Sequence, residues 1–405
     1  MMAGETQTLI FEKAIDVPPA QVYRAFTNST ALREWMCNIA TTDPKVGGRV
    51  YMAWNSGFYT AGHYNKLEKD QEIAFTWYGR GEPGITEVVV VLAPADGGTR
   101  LHLEHRGLGT NEEWASMLRE ARQGWEEGLG NLASVLETGE DLRFINRPML
   151  GIGLSDFDEK IAQQLGVPVN VGVRIDNTIE GMGAAAAGLQ ANDLIVSMAN
   201  VPVTDYPSLI AALSGQKAGD TVEVIYYRGA EKQTVNMKLS RRPLREIPWD
   251  AGTLAEAVNK GNAEFNKMLE ELLKGVTEEE ASFKPTPTEW SIKEVIAHLI
   301  HSERGGQNDV ADLLKGQERI YDDDPGNVQA HVEATIATYP TLASILAEYH
   351  CALQETVELL ARLPDEFVMR KGSFWRIAYN ILEDPFHKQT HLEQMRAALQ
   401  AARGG

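Results

Sequence analysis

Residues 111–137 have the sequence NEEWASMLREARQGWEEGLGNLASVLE, and this stretch decides the fold of the first part of the chain. Its apolar residues recur at intervals of three and four positions, so they share one side of a helix. They are Trp114, Leu118, Ala121, Trp125, Leu129, Leu132 and Leu136. The pattern predicts one long amphipathic helix whose apolar side packs against another element.

The residues before this helix predict the element against which it packs. Residues 7–17 alternate in the manner of a strand, residues 20–36 have helical spacing, and residues 47–105 form strand-like runs separated by glycine-bearing turns. This order predicts a curved antiparallel sheet wrapped around the long helix. The space between sheet and helix can hold a small apolar ligand.

Four tryptophans are candidates for the lining of that space: Trp35, Trp54, Trp77 and Trp125. Aromatic residues on strands and helices are more often ordinary core, so the sequence leaves both roles open. The short motifs of the region are PPAQVY at 18–23, GGR at 47–49, GHY at 62–64, TW at 76–77, GTRL at 98–101 and GW at 124–125. On these motifs, residues 1–140 resemble the SRPBCC or START-like superfamily, most closely its branch related to the activator of the heat-shock chaperone ATPase. The resemblance implies a helix-grip domain that binds a small hydrophobic ligand or a client protein without turnover.

A second module begins after a linker at 139–146. Its motifs are RPMLGIGL at 147–154, VGVRI at 171–175, GAAAAGL at 183–189, NDLI at 192–195 and AGD at 218–220. In this order they resemble a PDZ domain of the HtrA-associated type over residues 147–241, a β-sandwich or barrel with helices. The resemblance implies that a loop of backbone N–H groups receives the C-terminal carboxylate of a peptide from another protein. The implied peptide-binding residues are Leu150, Gly151, Ile152 and Gly153 in the loop, and Ser208, Leu209 and Ala212 on the opposite helix.

The alternative for these glycines is structural, because glycine at the start of a strand also serves simply to permit a turn. The protease module that accompanies PDZ domains of this type is absent, and Asn55-Ser56-Gly57 lacks the surroundings of a serine nucleophile. Proteolysis is therefore not predicted.

The last part of the chain, residues 246–405, is helical in pattern. Amphipathic stretches cover about 251–274, 291–315, 338–363 and 374–402, which predicts a four-helix bundle. Two motifs, TEWSIKEVIAHL at 288–299 and DPFHKQTHLEQ at 384–394, resemble elements of the DinB-like superfamily. The whole chain is thus predicted to be a multidomain α+β protein.

Three histidines are the candidate metal ligands. His387 and His391 are four residues apart on a predicted helix and project from one face, although such a pair alone is often just two surface histidines. His298 lies where the DinB-like resemblance implies a third ligand. Imidazole ligands favour zinc or nickel over magnesium or calcium, so we expect one divalent metal with an open fourth position.

The sequence predicts supporting roles, rather than metal ligation, for the residues near these histidines. Ser291 and Glu294 have the spacing of a helix capping box, which makes Glu294 structural. His301, one turn after His298, is expected to be solvated. Asp384 is a candidate acceptor that orients the imidazole of His387.

Composition excludes several classes of function. The formal net charge of −19 repels phosphate backbones, so no nucleic-acid partner is expected. No apolar run of membrane-spanning length and no secretory leader pattern occurs, which predicts neither a membrane role nor export. The two cysteines, Cys37 and Cys351, do not form a disulfide framework, which favours a cytoplasmic location.

Three hypotheses for function follow. The first is a cytoplasmic, stress-related adaptor in which linked modules hold a small ligand or client, a peptide tail and a metal. The DinB-like resemblance implies an enzyme as the alternative, a metal-dependent thiol transferase or isomerase. The third is an assembly protein whose sites stay empty.

Overall fold

The computed structural model describes residues 5–287, 289–319 and 329–404, and gives the backbone alone for residues 383–386. The chain divides into two compact units. Leu142–Leu244 forms one unit, and the residues up to Asp141 combine with those from Arg245 onward to form the other.

The N-terminal part is one antiparallel sheet with a long helix. The strands are β1 (Thr6–Ile15), β2 (Ile39–Thr42), β3 (Arg49–Ala53), β4 (Tyr59–Glu68), β5 (Glu72–Gly79), β6 (Thr86–Ala95) and β7 (Gly98–Gly109), and the helices are α1 (Pro19–Thr27), α2 (Ser29–Trp35) and α3 (Ala115–Thr138). The order in the sheet is β1-β7-β6-β5-β4-β3-β2, which places the first strand beside the last. The predicted helix-grip arrangement is confirmed.

The apolar stripe of α3 packs into the core as the sequence predicts. Trp125, Leu129 and Leu132 are buried in one cluster with inward residues of the strands, such as Leu9 and Leu101. Alternate residues of β1 face this core because successive side chains of a strand point to opposite faces.

The middle unit is a small sheet with short helices. Its strands are β8 (Pro148–Met149), β9 (Ile152–Ser155), β10 (Val173–Thr178), β11 (Leu194–Met198), β12 (Val201–Pro202), β13 (Thr221–Arg228), β14 (Glu231–Lys238) and β15 (Ser240–Arg241), and its helices are α4 (Leu142–Ile145), α5 (Glu159–Leu165), α6 (Gly183–Ala186) and α7 (Tyr206–Ala212). The main sheet has the order β14-β13-β11-β10-β9, with β12 on β11. Asp193 is fully buried and accepts two hydrogen bonds from the guanidinium of Arg228, at 2.8 and 2.7 Å. This bidentate pair ties β13 to the loop before β11.

The C-terminal part is helical. Its helices are α8 (Ala251–Leu273), α9 (Glu278–Ser282), α10 (Ile292–Leu314), α11 (Gln329–Thr338), α12 (Leu342–Ala361), α13 (Asp365–Val368) and α14 (Lys371–Ala402). The four long ones, α8, α10, α12 and α14, form the predicted bundle. The third begins at Leu342 instead of about 338, because Pro340 interrupts the helical pattern and Thr341 caps a new helix. Within the described residues, no helix has both the length and the apolar character needed to cross a membrane.

The bundle and the helix-grip part meet at a polar junction between α2 and α14. Glu34 is buried and accepts a hydrogen bond from the hydroxyl of Ser373, which is also buried. At its edge, Glu318 forms ion pairs with Arg33 at 3.1 Å and Arg376 at 2.8 Å. Polar and charged groups that are far apart in the sequence thus connect these two parts in the structure.

The junction leads to a stability prediction. Burial raises the pKa of the Glu34 carboxyl, against the opposing effect of Arg24 and of the Ser373 hydrogen bond. A raised folded-state pKa means that the stabilising contribution of the group is complete below its unfolded pKa and is lost as the pH rises. Glu34→Gln keeps an acceptor for Ser373 and cannot ionise. We therefore expect it to raise the Tm at pH 8 and to leave it unchanged near pH 4, as measured by scanning calorimetry.

Two variants control this experiment. Glu34→Ala leaves Ser373 without this acceptor and is expected to cost about 1–3 kcal/mol near pH 4, and less at pH 8, where it also removes the buried charge. Glu120→Gln, an exposed position on α3, should change nothing. A Glu34→Gln variant that is less stable than the parent protein at pH 8 would contradict the account.

Candidate metal centre

Helix α10 places His298 on its inner side. Ser291 and Glu294 form the predicted capping box: the Ser291 hydroxyl accepts from the Glu294 N–H at 3.3 Å, and the Glu294 carboxylate accepts from the Ser291 N–H at 2.8 Å. This cap defines where the helix begins. Val295 and Leu299 are buried beside His298, so its imidazole is held at the edge of the bundle core.

The three predicted ligands converge. The Nε2 atom of His387 lies 2.9 Å from Nε2 of His391 and 3.3 Å from Nε2 of His298, and one ligand atom from each of the three lies within 4.8 Å of the others. A tetrahedral zinc ion bound at about 2.0–2.1 Å keeps its nitrogen ligands roughly 3.3 Å apart. The two nitrogen pairs that include His387 therefore have nearly the spacing that a shared ion requires.

Neighbouring side chains orient two of the rings. The Nδ1 atom of His391 lies 2.9 Å from Oε1 of Gln394, which can only accept, so Nδ1 carries the proton and Nε2 carries the lone pair. Trp290 packs over His298 with 5.2 Å between ring centroids. His387 is exposed while the other two are half-buried, so the group of three opens toward solvent on the His387 side.

His301 differs from its expected solvated state. It is half-buried, and its Nδ1 lies 3.0 Å from Nδ1 of His331 on α11. Burial lowers the pKa of His301, and the nearby His331 and Arg304 lower it further. The side chain of Asp384, the candidate acceptor for His387, lies outside the described residues.

In the middle unit, the predicted carboxylate loop has a restricted backbone. Gly151 has φ of +76°, and a Cβ atom there would lie 2.2 Å from Cβ of Met182. The loop is anchored by the carbonyl of Leu150, which accepts from the Ala184 N–H at 2.9 Å, and by the carbonyl of Gly151, which accepts from the Ile179 N–H at 2.8 Å. β9 follows this loop and is the last strand in the order of the sheet, where it pairs with β10. Such an end strand can pair with an extended peptide.

The implied peptide contacts on α7 have structural roles in this unit. The Ser208 hydroxyl belongs to the capping box of the helix and accepts from the Asp205 N–H at 3.0 Å, while Leu209 and Ala212 are buried in the core with Leu150. The exposed apolar side chains of α7 are instead Tyr206 and Ile210. Sequence resemblance alone did not separate the inner from the outer face of so short a helix.

Three of the four tryptophans lie in the helix-grip core, and Trp54 is half-buried against it. Trp77 is central, with ring centroids 6.4 Å from Trp54 and 5.7 Å from Trp125, while Trp35 packs edge-on against Phe26 at 5.1 Å. Each indole N–H donates within the protein: Trp35 to the Ala25 carbonyl, Trp54 to the Met36 carbonyl, Trp77 to Glu82 and Trp125 to His105. These contacts favour the core role, and the ligand role stays a prediction.

An open cavity of about 240 Å³ lies elsewhere, between β1 and α3. Its lining residues are Gln7, Leu9, Leu118, Arg119, Arg122, Gln123 and Glu126. None of these residues is predicted from the sequence to bind a ligand. The feature of the sequence that could have indicated this cavity is the pair Arg119 and Arg122, which places positive charge beside the apolar stripe of α3.

Family models match three successive parts of the chain. The model of the Activator of Hsp90 ATPase homolog 1-like protein matches residues 16–137, and the PDZ domain model matches residues 148–239. The DinB superfamily model matches residues 264–399, the segment that contains the three histidines. Three domain families are joined in this chain. The three resemblances found in the sequence are confirmed.

The curated relatives align over a limited part of their length. The chain is 32% identical over 159 residues to a "Serine protease Do-like HtrA" of Lactococcus lactis subsp. cremoris (strain MG1363), covering 36% of this chain and 38% of that protein. It is 25% identical over 205 residues to the "Periplasmic pH-dependent serine endoprotease DegQ" of Escherichia coli (strain K12), covering 51% and 40%. The chain thus spans less than half the length of these relatives.

Solved structures match about a third of the chain. The solution structure of the Aha1 dimer from Colwellia psychrerythraea is 19% identical and covers 33% of this chain and 98% of that one, with a TM-score of 0.29. The crystal structure of protein MLL2253 from Mesorhizobium loti is 24% identical and covers 32% and 97%, with a TM-score of 0.30.

Proposed function

We propose that this chain is a stress-linked, cytoplasmic adaptor whose DinB-like bundle binds one divalent metal through His298, His387 and His391. The convergence of three imidazole nitrogens from two helices carries the proposal. His298 is 89 residues from His387 in the sequence, so their meeting depends on the packing of the bundle.

The donor set fits zinc or nickel. Three neutral imidazoles suit these borderline ions, whereas magnesium and calcium prefer oxygen ligands. A bound ion of this kind supplies a Lewis acid that lowers the pKa of a water or thiol beside it. The exposed side of His387 leaves room for such an exchangeable ligand.

That open side also favours the second candidate function, a metal-dependent thiol transferase or isomerase. An enzyme of this class needs a metal position accessible to a thiol, and the half-open histidine group provides that access. A structural metal site, in contrast, is closed by a fourth protein ligand. Both candidate functions therefore require the same metal ion, and only the enzyme would convert a substrate.

Elemental analysis of the full chain, purified without chelators, tests the metal proposal. We expect about one equivalent of zinc or nickel per chain. A screen of the metal-loaded protein with low-molecular-weight thiols and electrophiles then separates enzyme from adaptor. Failure to retain any divalent ion after reconstitution would reject both candidate functions.

The peptide function of the PDZ domain completes the adaptor proposal. We propose that a C-terminal peptide of another protein pairs with β9 and places its carboxylate at the loop from Leu150 to Gly153. The end position of β9 in the sheet and the left-handed Gly151 support this. The two free cysteines, Cys37 and Cys351, accord with a reducing compartment.

Gly151→Ala is expected to abolish peptide binding by the full chain. The added Cβ would collide with Met182 and would adopt a φ that L residues rarely accept, so the loop must shift. Fluorescence anisotropy with hits from a C-terminal peptide library measures the effect. Amidating the peptide terminus should cost about 1.5–3 kcal/mol, the strength of a hydrogen bond to a charged group.

Gly166→Ala is the matched control. Gly166 lies in the same unit with φ of +69°, but its added Cβ meets no atom within 4 Å. It therefore reproduces the backbone strain without the collision at the loop. Equal loss of binding in both variants, or unchanged binding of amidated peptide, would show that the loop does not receive a carboxylate.

A further inference from the structure

The core of the bundle consists of two apolar halves. One half contains Leu254, Val310, Leu360 and Phe374, and the other contains Phe265, Ile296, Leu353 and Leu392. On each of the four long helices, polar residues lie between the two halves. They are Asn262 on α8, Glu303 and Gln307 on α10, Thr356 on α12 and Lys388 on α14, and we call these five residues the polar layer.

Hydrogen bonds connect the polar layer across all four helices. Lys388 Nζ lies 2.9 Å from the Glu303 carboxylate and donates to Asn262 Oδ1 at 3.0 Å. The hydroxyl of Thr356 donates to the other Glu303 oxygen at 2.8 Å and lies 3.1 Å from the amide nitrogen of Gln307, which donates to it. The side chains of Lys388 and Glu303 are only 7% and 11% exposed. A full ion pair is therefore enclosed in the middle of the bundle.

Stability alone does not account for such a pair. Removing two charges from water costs several kcal/mol per ion, and well-packed apolar residues of similar volume often stabilise a protein as well or better. A buried polar contact instead penalises every packing in which the partners do not meet, as a single polar residue does in a coiled coil. The pair in this bundle acts between α10 and α14.

These two helices also carry the metal ligands. Lys388 directly follows His387 on α14, and Glu303 lies five residues after His298 on α10. Sliding α14 by one turn moves its side chains by about 5.4 Å along the axis. That displacement exceeds the separation of 3.3 Å between the Nε2 atoms of His387 on α14 and His298 on α10, so a register error would separate His298 from the other two ligands.

We propose that Lys388 and Glu303 are positioning residues of the metal centre, whose buried ion pair sets the register of α14 on α10 so that His387 and His391 meet His298. The inference rests on the proposed metal site. Neither residue is one of its three ligands. Their contribution is the arrangement of the two helices.

The test uses the full chain with the double replacement Glu303→Leu and Lys388→Met. This change removes both charges together and keeps an apolar volume, so folding should survive with an equal or higher Tm in the metal-free protein. Zinc affinity, measured by chelator competition, should fall 10- to 100-fold, the usual effect of losing a contact that orients metal ligands. The cobalt-substituted protein should also change its visible absorption spectrum, because the ligand geometry changes.

A matched control is the double replacement Glu280→Leu and Arg403→Met. This pair also joins two helical segments, because Arg403 directly follows α14 and forms an ion pair of 2.7 Å with Glu280 on α9. We expect its zinc affinity to stay within twofold of that of the parent protein. Should Glu303→Leu/Lys388→Met fail to fold, Glu303→Gln keeps the shape and an acceptor for Lys388, and it should still weaken zinc binding measurably.

The outcomes separate the inference from the proposed function. If the parent protein binds no metal, the metal centre is wrong and the positioning role falls with it. If the parent binds zinc and the polar-layer variant binds it equally well with an unchanged cobalt spectrum, the metal centre stands and the positioning role is overturned. A lower Tm with unaltered zinc affinity likewise assigns the ion pair to structure alone.

Discussion

Replacing His391 by alanine is expected to weaken zinc binding by roughly a hundred- to a thousand-fold. Zinc peptides with four ligands bind with about 10–16 kcal/mol, so one ligand accounts for roughly 2.5–4 kcal/mol. His391 is also the ring whose Nδ1 is already held by Gln394, so its loss removes a pre-oriented donor. The helices should remain folded because the apolar halves of the bundle do not include this side chain.

Chelator competition and elemental analysis of single alanine variants measure this effect. His298→Ala and His387→Ala should behave like His391→Ala, because each supplies one of the three converging nitrogens. His301→Ala is the control, since it lies one turn from His298 on the same helix and outside this group. Affinity should also fall below a pH of about 6.5, where free imidazole becomes protonated. Unchanged stoichiometry in all three variants would reduce these histidines to ordinary helix residues.

The second large effect concerns His105 in the helix-grip core. Its Nδ1 lies 3.1 Å from the indole N–H of Trp125, which can only donate, so Nδ1 carries the lone pair. The proton is therefore on Nε2, which lies 2.8 Å from the hydroxyl of Thr86. The ring is almost fully buried, and burial lowers the pKa of His105 to about 4. The folded domain thus holds this imidazole in its neutral form.

The stability of this domain should consequently fall in mild acid. The folded pKa lies below the unfolded value of 6.5, so the contribution of His105 is complete above 6.5 and is lost as the pH falls toward 4. The shift corresponds to about 3 kcal/mol at most. His105→Gln should flatten this part of the pH profile. Urea unfolding at pH 6.5 and 4.5 measures the difference in the free energy of unfolding. Pulsed hydrogen exchange of the β6 and β7 amides monitors the unfolding of this domain.

His102→Gln is the control on the same strand. His102 is half-buried and lies 3.0 Å from the Glu104 carboxylate, so its charged form has a partner. This variant should keep the steep acid dependence of the parent protein. If His105→Gln keeps it as well, carboxylates elsewhere in the domain cause the acid sensitivity.

Local patterns of the sequence were sufficient to predict the main helices and strands and to identify the three domain families. The apolar stripe of α3, the capping box at Ser291 and the His387/His391 spacing are each defined by residues within a few turns of one another. Such features survive in any packing because helix periodicity and capping depend on near neighbours. The third ligand, His298, was predicted from the resemblance to the DinB-like superfamily, because residue spacing cannot show which residues of separate helices lie close together.

The tertiary structure decided which of these surfaces meet. It brought His298 to within 3.3 Å of His387, joined Glu34 to Ser373 and enclosed Lys388 with Glu303. It also placed Leu209 and the tryptophan Trp77 in cores, where sequence analysis had considered binding roles. These outcomes depend on contacts between side chains far apart in the chain, whose free energies are set by shared burial and by the pairing of charges. Residue spacing therefore determined the helices and strands of this protein, and packing between distant segments determined its candidate sites.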